Sequence, residues 1–292
     1  MEKIAGVIGL GIMGGAIAQN LVERGWSIVG FDIDPAKCEA LASAGTEIAT
    51  SPEDVARRAP VILTSLPTAK AALDVARQVG ACDAPPRVVA ELSTLSLADK
   101  LAFAATLEAG GHIPLDCPLS GTGAQAETRD LVIYASGDSA AVARLEPLFL
   151  DFGKKVADLG AYGNGSRMKF IANYLVAINN VATAEAMVLG MRAGLDPLQI
   201  IDVVGAGAAG SRIFELRAPM MAENRYEPAT MRMSTWQKDM SIIGEFAGLL
   251  GCPTPLFTAS SAIYDEGLDM LLGDLDTASV CRVIEAMGGF SR

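Results

Sequence analysis

The chain has 292 residues, of which 51% are hydrophobic, 20% charged and 5% aromatic. Its 34 acidic and 23 basic residues give a formal net charge of −11. The apolar content excludes an intrinsically disordered chain, and the length predicts about two domains. The excess of acidic residues argues against a protein that binds nucleic acid or a membrane surface, because proteins bind both of these anionic partners through lysine and arginine.

The cysteines and the single histidine limit the cellular compartment and the kinds of site that can be expected. The five cysteines are widely spaced and form no C-x-x-C pair, which predicts reduced thiols in a cytoplasmic protein. The single histidine, His112, opens a predicted strand, where we expect a structural role, and no metal site is expected. Glycines interrupt the apolar stretch after Lys3, and no run reaches the ~18 apolar residues of a membrane span. We therefore expect neither a targeting signal nor a membrane protein.

Taken in chain order, the first half alternates short apolar strands with helices. Strands are predicted over 4–9, 27–32, 60–65, 87–92, 112–115, 131–136 and 154–156. Helices are predicted over 11–24, 35–43, 51–57 and 96–108. This alternation predicts βαβ units in a Rossmann-type, doubly wound parallel sheet, an α/β fold.

After about Gly160 the strand signals stop. Helices are predicted over 166–193, 197–204, 234–250, 255–269 and 277–287. We therefore divide the chain into a Rossmann-type domain over 1–162 and an all-α domain over 163–292, opened by a long interdomain helix. That helix is apolar on several faces and must be buried, yet about 130 residues can surround only part of it. A second copy of the chain, in a homodimer or homotetramer, is expected to cover the rest.

A glycine-rich segment follows the first predicted strand. Gly9-Leu10-Gly11-Ile12-Met13-Gly14 fits the pattern G-x-G-x-x-G between a strand and a helix, as a dinucleotide-binding loop requires. Gly9 would permit the tight turn, Gly11 the approach of a pyrophosphate, and Gly14 close packing of helix on strand. The alternative is a glycine-rich turn without a ligand. The context favours a cofactor-binding loop and makes 1–162 a predicted NAD-binding domain.

Asp32, at the end of the second predicted strand, bears on the choice of cofactor. A carboxylate at this place hydrogen-bonds a ribose diol and repels a 2′-phosphate. Asp34 adds a second negative charge, and Lys37 is the nearest base. The pattern predicts NAD, with NADP less favoured; the alternative is that Asp32 is only a turn residue.

The start of the long helix carries a second polar motif. Lys169 and Asn173 are four residues apart and share one helix face, and Ser166 is placed to cap the helix. A partly desolvated lysine can act as a general acid–base, and Asn173 could hold a substrate hydroxyl or position the lysine. Spacing alone leaves open an ordinary solvated lysine.

Four blocks together resemble the β-hydroxyacid dehydrogenase family, which includes 3-hydroxyisobutyrate dehydrogenases and tartronate semialdehyde reductases. They are the 9–14 loop with Asn20-Leu21, the segment 116–122 that reads Asp-Cys-Pro-Leu-Ser-Gly-Thr, the Gly163-x-Gly165 helix start with Lys169 and Asn173, and Lys238-Asp239. The resemblance covers essentially the whole chain. It is the order and spacing of the blocks that makes it specific.

The resemblance implies roles for individual residues. Lys169 would be the catalytic acid–base, with Asn173 placing the substrate and the lysine. Ser120, Gly121 and Thr122 would bind a substrate carboxylate, and a turn that leads into a helix suits an anion. The resemblance further implies that the cofactor is lined by Leu66 and Pro67, that Ser93 and Thr94 lie by the nicotinamide, and that Lys238 reaches over the cofactor with Asp239 near the substrate. Ser93-Thr94 alone could equally be a helix cap.

One position departs from the family pattern, which usually has glycine where this chain has Thr122. A β-branched residue resists positive φ, so the loop is expected to be reshaped or Thr122 to contact a polar substrate group, with Gln125 as another polar contact. This mildly favours a hydroxy acid more polar than 3-hydroxyisobutyrate.

These features predict an NAD-dependent enzyme that reversibly oxidises a small β-hydroxy carboxylate to a semialdehyde or keto acid. Three other functions compete with it. An imine reductase resembles this chain in fold and order but usually lacks the lysine. A non-catalytic NAD-binding or scaffold protein would be expected to lose it. A methyltransferase also uses a glycine-rich loop but leaves the Lys169–Asn173 motif unexplained.

Overall fold

The structure is a computed structural model that describes residues 2–292. The chain divides into two compact units, Met1–Lys169 and Phe170–Arg292. The long helix α8 (Asn164–Arg192) begins in the first unit and continues through the second.

The first unit is built on a nine-stranded sheet in the order β3-β2-β1-β4-β5-β6-β8-β7, with β9 paired to β8. The strands from β3 to β6 are parallel, whereas β8 runs antiparallel to β6 and β7. The strand bounds are β1 Ile4–Ile8, β2 Ser27–Phe31, β3 Glu47–Ile48, β4 Val61–Thr64, β5 Val88–Glu91, β6 Ile113–Asp116, β7 Leu119–Ser120, β8 Val132–Gly137 and β9 Lys155–Asp158.

Helices cover both faces of this sheet. They are α1 Ile12–Glu23, α2 Pro35–Ala42, α3 Pro52–Arg58, α4 Ala69–Gly80, α5 Leu97–Ala109, α6 Gly123–Glu127 and α7 Ser139–Phe152. Because side chains alternate along a strand, neighbours such as Val7 and Ile8 enter separate apolar clusters. The cluster with Val7 includes Leu21 and Phe149, and the cluster with Ile8 includes Phe103. Burial on both faces explains why these strands are continuously apolar.

The predicted fold class is confirmed, with the helical half beginning at α8. The sequence prediction missed helices α4, α6 and α7 and the two-residue strands β3 and β7. In β8 it missed that an otherwise parallel sheet turns antiparallel. His112 lies just before β6, where it accepts a hydrogen bond from the Arg87 backbone N–H at 3.1 Å and contacts the Val79 carbonyl at 3.0 Å. It therefore joins two segments, in keeping with a structural role.

The second unit is helical. Its helices after α8 are α9 Pro197–Gly205, α10 Arg212–Ala222, α11 Met233–Leu249, α12 Pro255–Asp269 and α13 Val280–Met287, with a 3₁₀ turn over Thr277–Ser279. Helix α10 was not predicted, and it contains Pro219. Two buried polar links tie the unit together: Asn180 donates to the Tyr264 hydroxyl at 2.9 Å, and Arg217 pairs with Asp276 at 2.8 Å.

Helix α8 is long and apolar enough to cross a membrane if length and composition alone are considered. The core helix of a soluble protein passes the same test. An 18-residue window of it reaches a mean hydropathy of 1.3, and 39% of that window is buried inside the chain.

Candidate active site

The glycine-rich loop joins β1 to α1 in a tight turn. Gly9 has φ +90°, and a Cβ there would lie 2.1 Å from the Ser65 carbonyl oxygen. A Cβ on Gly14 would lie 1.8 Å from the Gly9 carbonyl oxygen, so glycine is required at both positions. Gly11 differs, because a Cβ there would meet nothing within 4 Å. An open approach to the start of α1 therefore exists at the position where the motif places a pyrophosphate.

The residues between the glycines of the loop differ in burial. Leu10 is buried in the core, whereas Ile12 is 81% exposed at the first turn of α1. Because Gly11 caps this helix without a side chain, the first N–H groups are not taken by a side-chain cap. Ile12, Met13 and Gly14 bring no negative charge to this turn. An anionic diphosphate fits such a helix start.

Asp32 lies directly after β2, and its carboxylate braces the loop. Its Oδ2 accepts a hydrogen bond from the Leu10 N–H at 2.7 Å, and its Oδ1 accepts one from the Asp34 N–H at 2.9 Å. The Lys37 Nζ lies 3.7 Å from Asp32 and 3.8 Å from Asp34. Each carboxylate oxygen has a second lone pair, so Asp32 can serve as turn residue and as diol acceptor together.

The next predicted cofactor residues follow the neighbouring strands β4 and β5. Leu66 is partly buried and Pro67 exposed after β4, while Ser93 and Thr94 are partly buried after β5. The Leu66 N–H donates to the Ser93 hydroxyl at 2.8 Å and so joins the two turns. Strand order reverses at β1, between β2 and β4, and parallel α/β sheets bind ligands at such a switch point. These residues therefore lie at the carboxyl end of the parallel strands, the same end as the glycine loop.

The predicted substrate loop follows β6 and the short strand β7. Ser120 ends β7, Gly121 has φ +141°, and Thr122 caps α6 with φ −100°. The expected conflict between Thr122 and a positive φ does not occur, because Gly121 is the residue that adopts it. The Gln125 side chain accepts from the Thr122 N–H at 3.0 Å and donates to Asp130 at 2.9 Å. Gln125 therefore holds the loop together, and its expected contact with a substrate stays a prediction.

Lys169 lies in the second turn of α8 and is only 9% exposed. The expected cap at Ser166 is wrong, because the helix starts two residues earlier, at Asn164. Ser166 is buried and binds Asp116 instead, through its N–H at 2.7 Å and its hydroxyl at 2.8 Å. The alternative of a solvated surface lysine is therefore contradicted for Lys169.

The remaining predicted residues meet in the second unit. Asn173, 5% exposed on α8, donates from Nδ2 to Oδ2 of Asp239 at 2.9 Å. The Lys238 Nζ lies 3.8 Å from the other oxygen of Asp239, and its side chain is 44% exposed. Asp239 thus fixes the orientation of the Asn173 amide.

A group of buried charges was missed by the sequence analysis. Glu91 at the end of β5, Lys100 on α5 and Asp116 at the end of β6 are all fully buried and in mutual contact. Burial alone would lower the pKa of Lys100, but Asp116 and Glu91 outweigh it and raise that pKa. Burial, with the charge of Asp116, raises the pKa of the neighbouring Cys117 thiol. The sequence contained no signal for the group, because a single lysine on a helix that also carries two acidic residues is typical of a solvated face.

Comparison with known proteins identifies the family. Residues 4–160 match the family model for the NAD binding domain of 6-phosphogluconate dehydrogenase. Residues 163–284 match a model described as NAD-binding of NADP-dependent 3-hydroxyisobutyrate dehydrogenase. The chain belongs to the β-hydroxyacid dehydrogenase family. Among its relatives, L-threonate dehydrogenase of Cupriavidus necator is 31% identical over 97% of this chain and 96% of its own length.

Solved structures agree with this assignment. The Mycobacterium tuberculosis 3-hydroxyisobutyrate dehydrogenase, solved with L-serine, has a TM-score of 0.89 and 27% identity, covering 97% of this chain and 99% of that one. A Streptomyces aurantiacus imine reductase has a TM-score of 0.63 and 21% identity over 96% of this chain and 99% of its own, a likeness of fold alone. This member of the β-hydroxyacid dehydrogenase family is therefore an NAD(P)-dependent oxidoreductase.

Proposed function

We propose that the protein catalyses reversible, NAD-dependent oxidation of a small β-hydroxy carboxylate to its semialdehyde or keto acid, with Lys169 as the acid–base. The observation that carries this proposal is the burial of Lys169, 9% exposed, in the second turn of α8. Burying a lysine costs desolvation free energy. A general acid–base that moves a proton out of contact with water would give that burial a function. The relatives named for L-threonate and 3-hydroxyisobutyrate support the substrate class.

The residues at the sheet edge fit a nicotinamide dinucleotide. The open backbone at Gly11 and the uncharged first turn of α1 would hold its diphosphate, and Asp32 would accept from a ribose diol. Leu66, Pro67, Ser93 and Thr94 would line the nicotinamide half. The bound dinucleotide supplies the hydride chemistry, and the protein supplies orientation.

The protein's own groups would then divide the work. Ser120, Gly121 and Thr122 would hold the substrate carboxylate, and the side chain of Gln125 keeps that loop in one conformation. Lys169 would take the proton of the substrate hydroxyl in oxidation and return it in reduction. Asn173, whose amide orientation Asp239 fixes, would present its oxygen to a donor of the substrate or of Lys169. By resemblance to the family, Lys238 would contact the cofactor and Asp239 the substrate.

Replacing Lys169 tests the assignment. Lys169→Met preserves length and packing but removes the ionisable group, so kcat should fall by about 10²–10⁴-fold, the usual contribution of acid–base catalysis. NADH affinity should change little, because the lysine acts on the hydroxyl. The measurement is NADH formation with 3-hydroxyisobutyrate, L-serine, D-glycerate, L-threonate and 3-hydroxypropionate, beside NADH binding by fluorescence.

The matched control is Arg167→Met, which removes an exposed cation two residues earlier on the same helix. It should leave kcat near the wild-type value. A Lys169→Met enzyme with near-normal kcat would refute the acid–base role. Turnover of cyclic imines with none of the hydroxy acids would favour the imine reductase alternative, and NADH binding without any turnover would favour a non-catalytic protein.

We also propose a homodimer or homotetramer working in the cytoplasm. On α8, Ile171 and Leu175 are half exposed and Leu189 is 72% exposed, which supports an apolar contact with a second copy. All five cysteines are free, in keeping with a reducing compartment. A monomer in sedimentation or light scattering would contradict the oligomer, and cell fractionation checks the compartment.

A further inference from the structure

A buried charge cluster, formed by Glu91, Lys100 and Asp116, lies at the carboxyl ends of two adjacent parallel strands. The Lys100 Nζ contacts one carboxylate oxygen of Glu91, reaches Oδ1 of Asp116 at 2.9 Å, and contacts the Glu91 carbonyl at 3.4 Å. These three contacts use the three N–H groups of the ammonium. All three residues are fully excluded from solvent.

The cluster contains two carboxylates and one ammonium, so one negative charge needs further support. That support comes from the start of α8. Asp116 accepts from the Ser166 N–H and hydroxyl, at 2.7 and 2.8 Å. The Ser136 hydroxyl, which contacts the Asp116 carbonyl at 3.1 Å, accepts from the Gly165 N–H at 2.9 Å. The first N–H groups of a 29-residue helix are the positive end of its dipole, and they complete the charge balance.

The other side of the cluster leads to the predicted cofactor turns. Glu91 Oε1 accepts from the Ser93 N–H at 2.9 Å, and the Ser93 hydroxyl accepts from the Leu66 N–H at 2.8 Å. Glu91 therefore fixes the turn after β5 and, through it, the turn after β4. The Lys100 ammonium thus pairs with two carboxylates that lead to different places. We call the contacts from Asp116 to the start of α8 the Asp116 arm, and the contacts from Glu91 to the turns after β5 and β4 the Glu91 arm.

We infer that the buried charge cluster positions the reaction: its Asp116 arm sets the place of Lys169, one helical turn beyond Ser166, and its Glu91 arm sets the nicotinamide-side turns. Helix α8 is rigid over one turn, so a shift of its anchored start moves Lys169 directly. Misplacing a reacting group by about 1 Å can cost about a hundredfold in rate. The residues of the cluster are positioning residues. The effect on kcat rests on the acid–base role proposed for Lys169, whereas the effect on the helix start does not.

Ser166→Ala tests the Asp116 arm with the least disturbance, since it keeps every charge and the Ser166 N–H. We expect kcat to fall by about tenfold or more while the NADH dissociation constant stays within about twofold. Glu91→Gln tests the other arm, because it keeps an oxygen for Ser93 but removes the charge facing Lys100. It should raise the NADH dissociation constant by about fivefold or more.

Hydrogen exchange followed by mass spectrometry gives a readout that needs no turnover. In Ser166→Ala, peptides over 163–170 should exchange faster while peptides over β1 and α1 stay as in the wild type. Lys100→Met should produce both the kcat and the NADH effects if it folds. The other two variants decide the matter if it does not.

His112→Leu is the matched control. His112 is also buried and hydrogen-bonded, but it lies at the opposite ends of the same two strands. It should lower the melting temperature and leave kcat, NADH binding and exchange over 163–170 unchanged.

The inference is overturned if Ser166→Ala and Glu91→Gln lower only the melting temperature, as His112→Leu does. If the wild type turns over no hydroxy acid, the proposed function fails. The exchange and NADH-binding results still decide the role of the cluster.

Discussion

Asp32 braces the glycine loop, and its charge is the basis of the proposed preference for NAD. It is bound by the Leu10 and Asp34 N–H groups and is almost fully buried, so its charge is fixed in place beside the loop. A fixed negative charge at this point opposes a 2′-phosphate, and Lys37, 3.7 Å away, offsets it only in part. We therefore propose NAD as the preferred cofactor.

Asp32→Asn should shift the kcat/KM ratio toward NADP by about tenfold, equivalent to about 1.4 kcal/mol. The amide keeps an oxygen for the Leu10 N–H but loses the acceptor of the Asp34 N–H, so the variant should also be somewhat less stable. Lys37→Met should move the ratio the opposite way, because it removes the nearest positive charge. Steady-state kinetics with both cofactors measures the ratio. Equal efficiencies with NAD and NADP in the wild type would contradict the preference.

At the scale of elements, local sequence signals succeeded where a residue's neighbours in the chain decide its conformation. The glycine loop and the apolar strands needed no distant contact, and helices α3 and α9 begin directly after their capping residues Ser51 and Asp196. Helix α7 was missed although Asp138 caps it, and Pro147 inside it argues against a helix in the sequence. Helix α4 had a readable signal in its Thr68 cap and its amphipathic spacing.

The residues of the candidate site also differ in whether the sequence alone could reveal them. Gly9, Asp32 and Lys169 belong to short motifs with fixed spacing, so they could be found from sequence. The buried charge cluster joins positions 91, 100 and 116, which only the sheet brings together. Lys100 by itself is typical of a solvated helix face. The sequence did not show that the threonine in place of the family's glycine is tolerated without strain, because the positive φ of this loop lies at Gly121, one residue earlier.

At the scale of the whole molecule, several buried groups bind protons more tightly in the folded chain than in the unfolded one. Burial raises the pKa of Cys281 from 9.0 to about 11, and raises the pKa of Cys117 and Tyr264 further. Lys100, held by Asp116 and Glu91 despite burial, also has a raised pKa. Each of these shifts has the same consequence for stability. The free energy of unfolding falls as pH rises, because the unfolded chain releases protons that the folded chain retains.

The free energy of unfolding should therefore fall as pH rises above about 9, where Cys117 and Cys281 start to release their protons in the unfolded chain but keep them in the folded one. At about 1.4 kcal/mol for each unit, Cys281 alone would contribute a loss of up to about 3 kcal/mol. Denaturant unfolding between about pH 7 and about pH 10 measures the slope. Cys281→Ala should flatten it, because the group with the raised pKa is then removed. A stability that is flat up to about pH 10 would show that these groups titrate alike in both states.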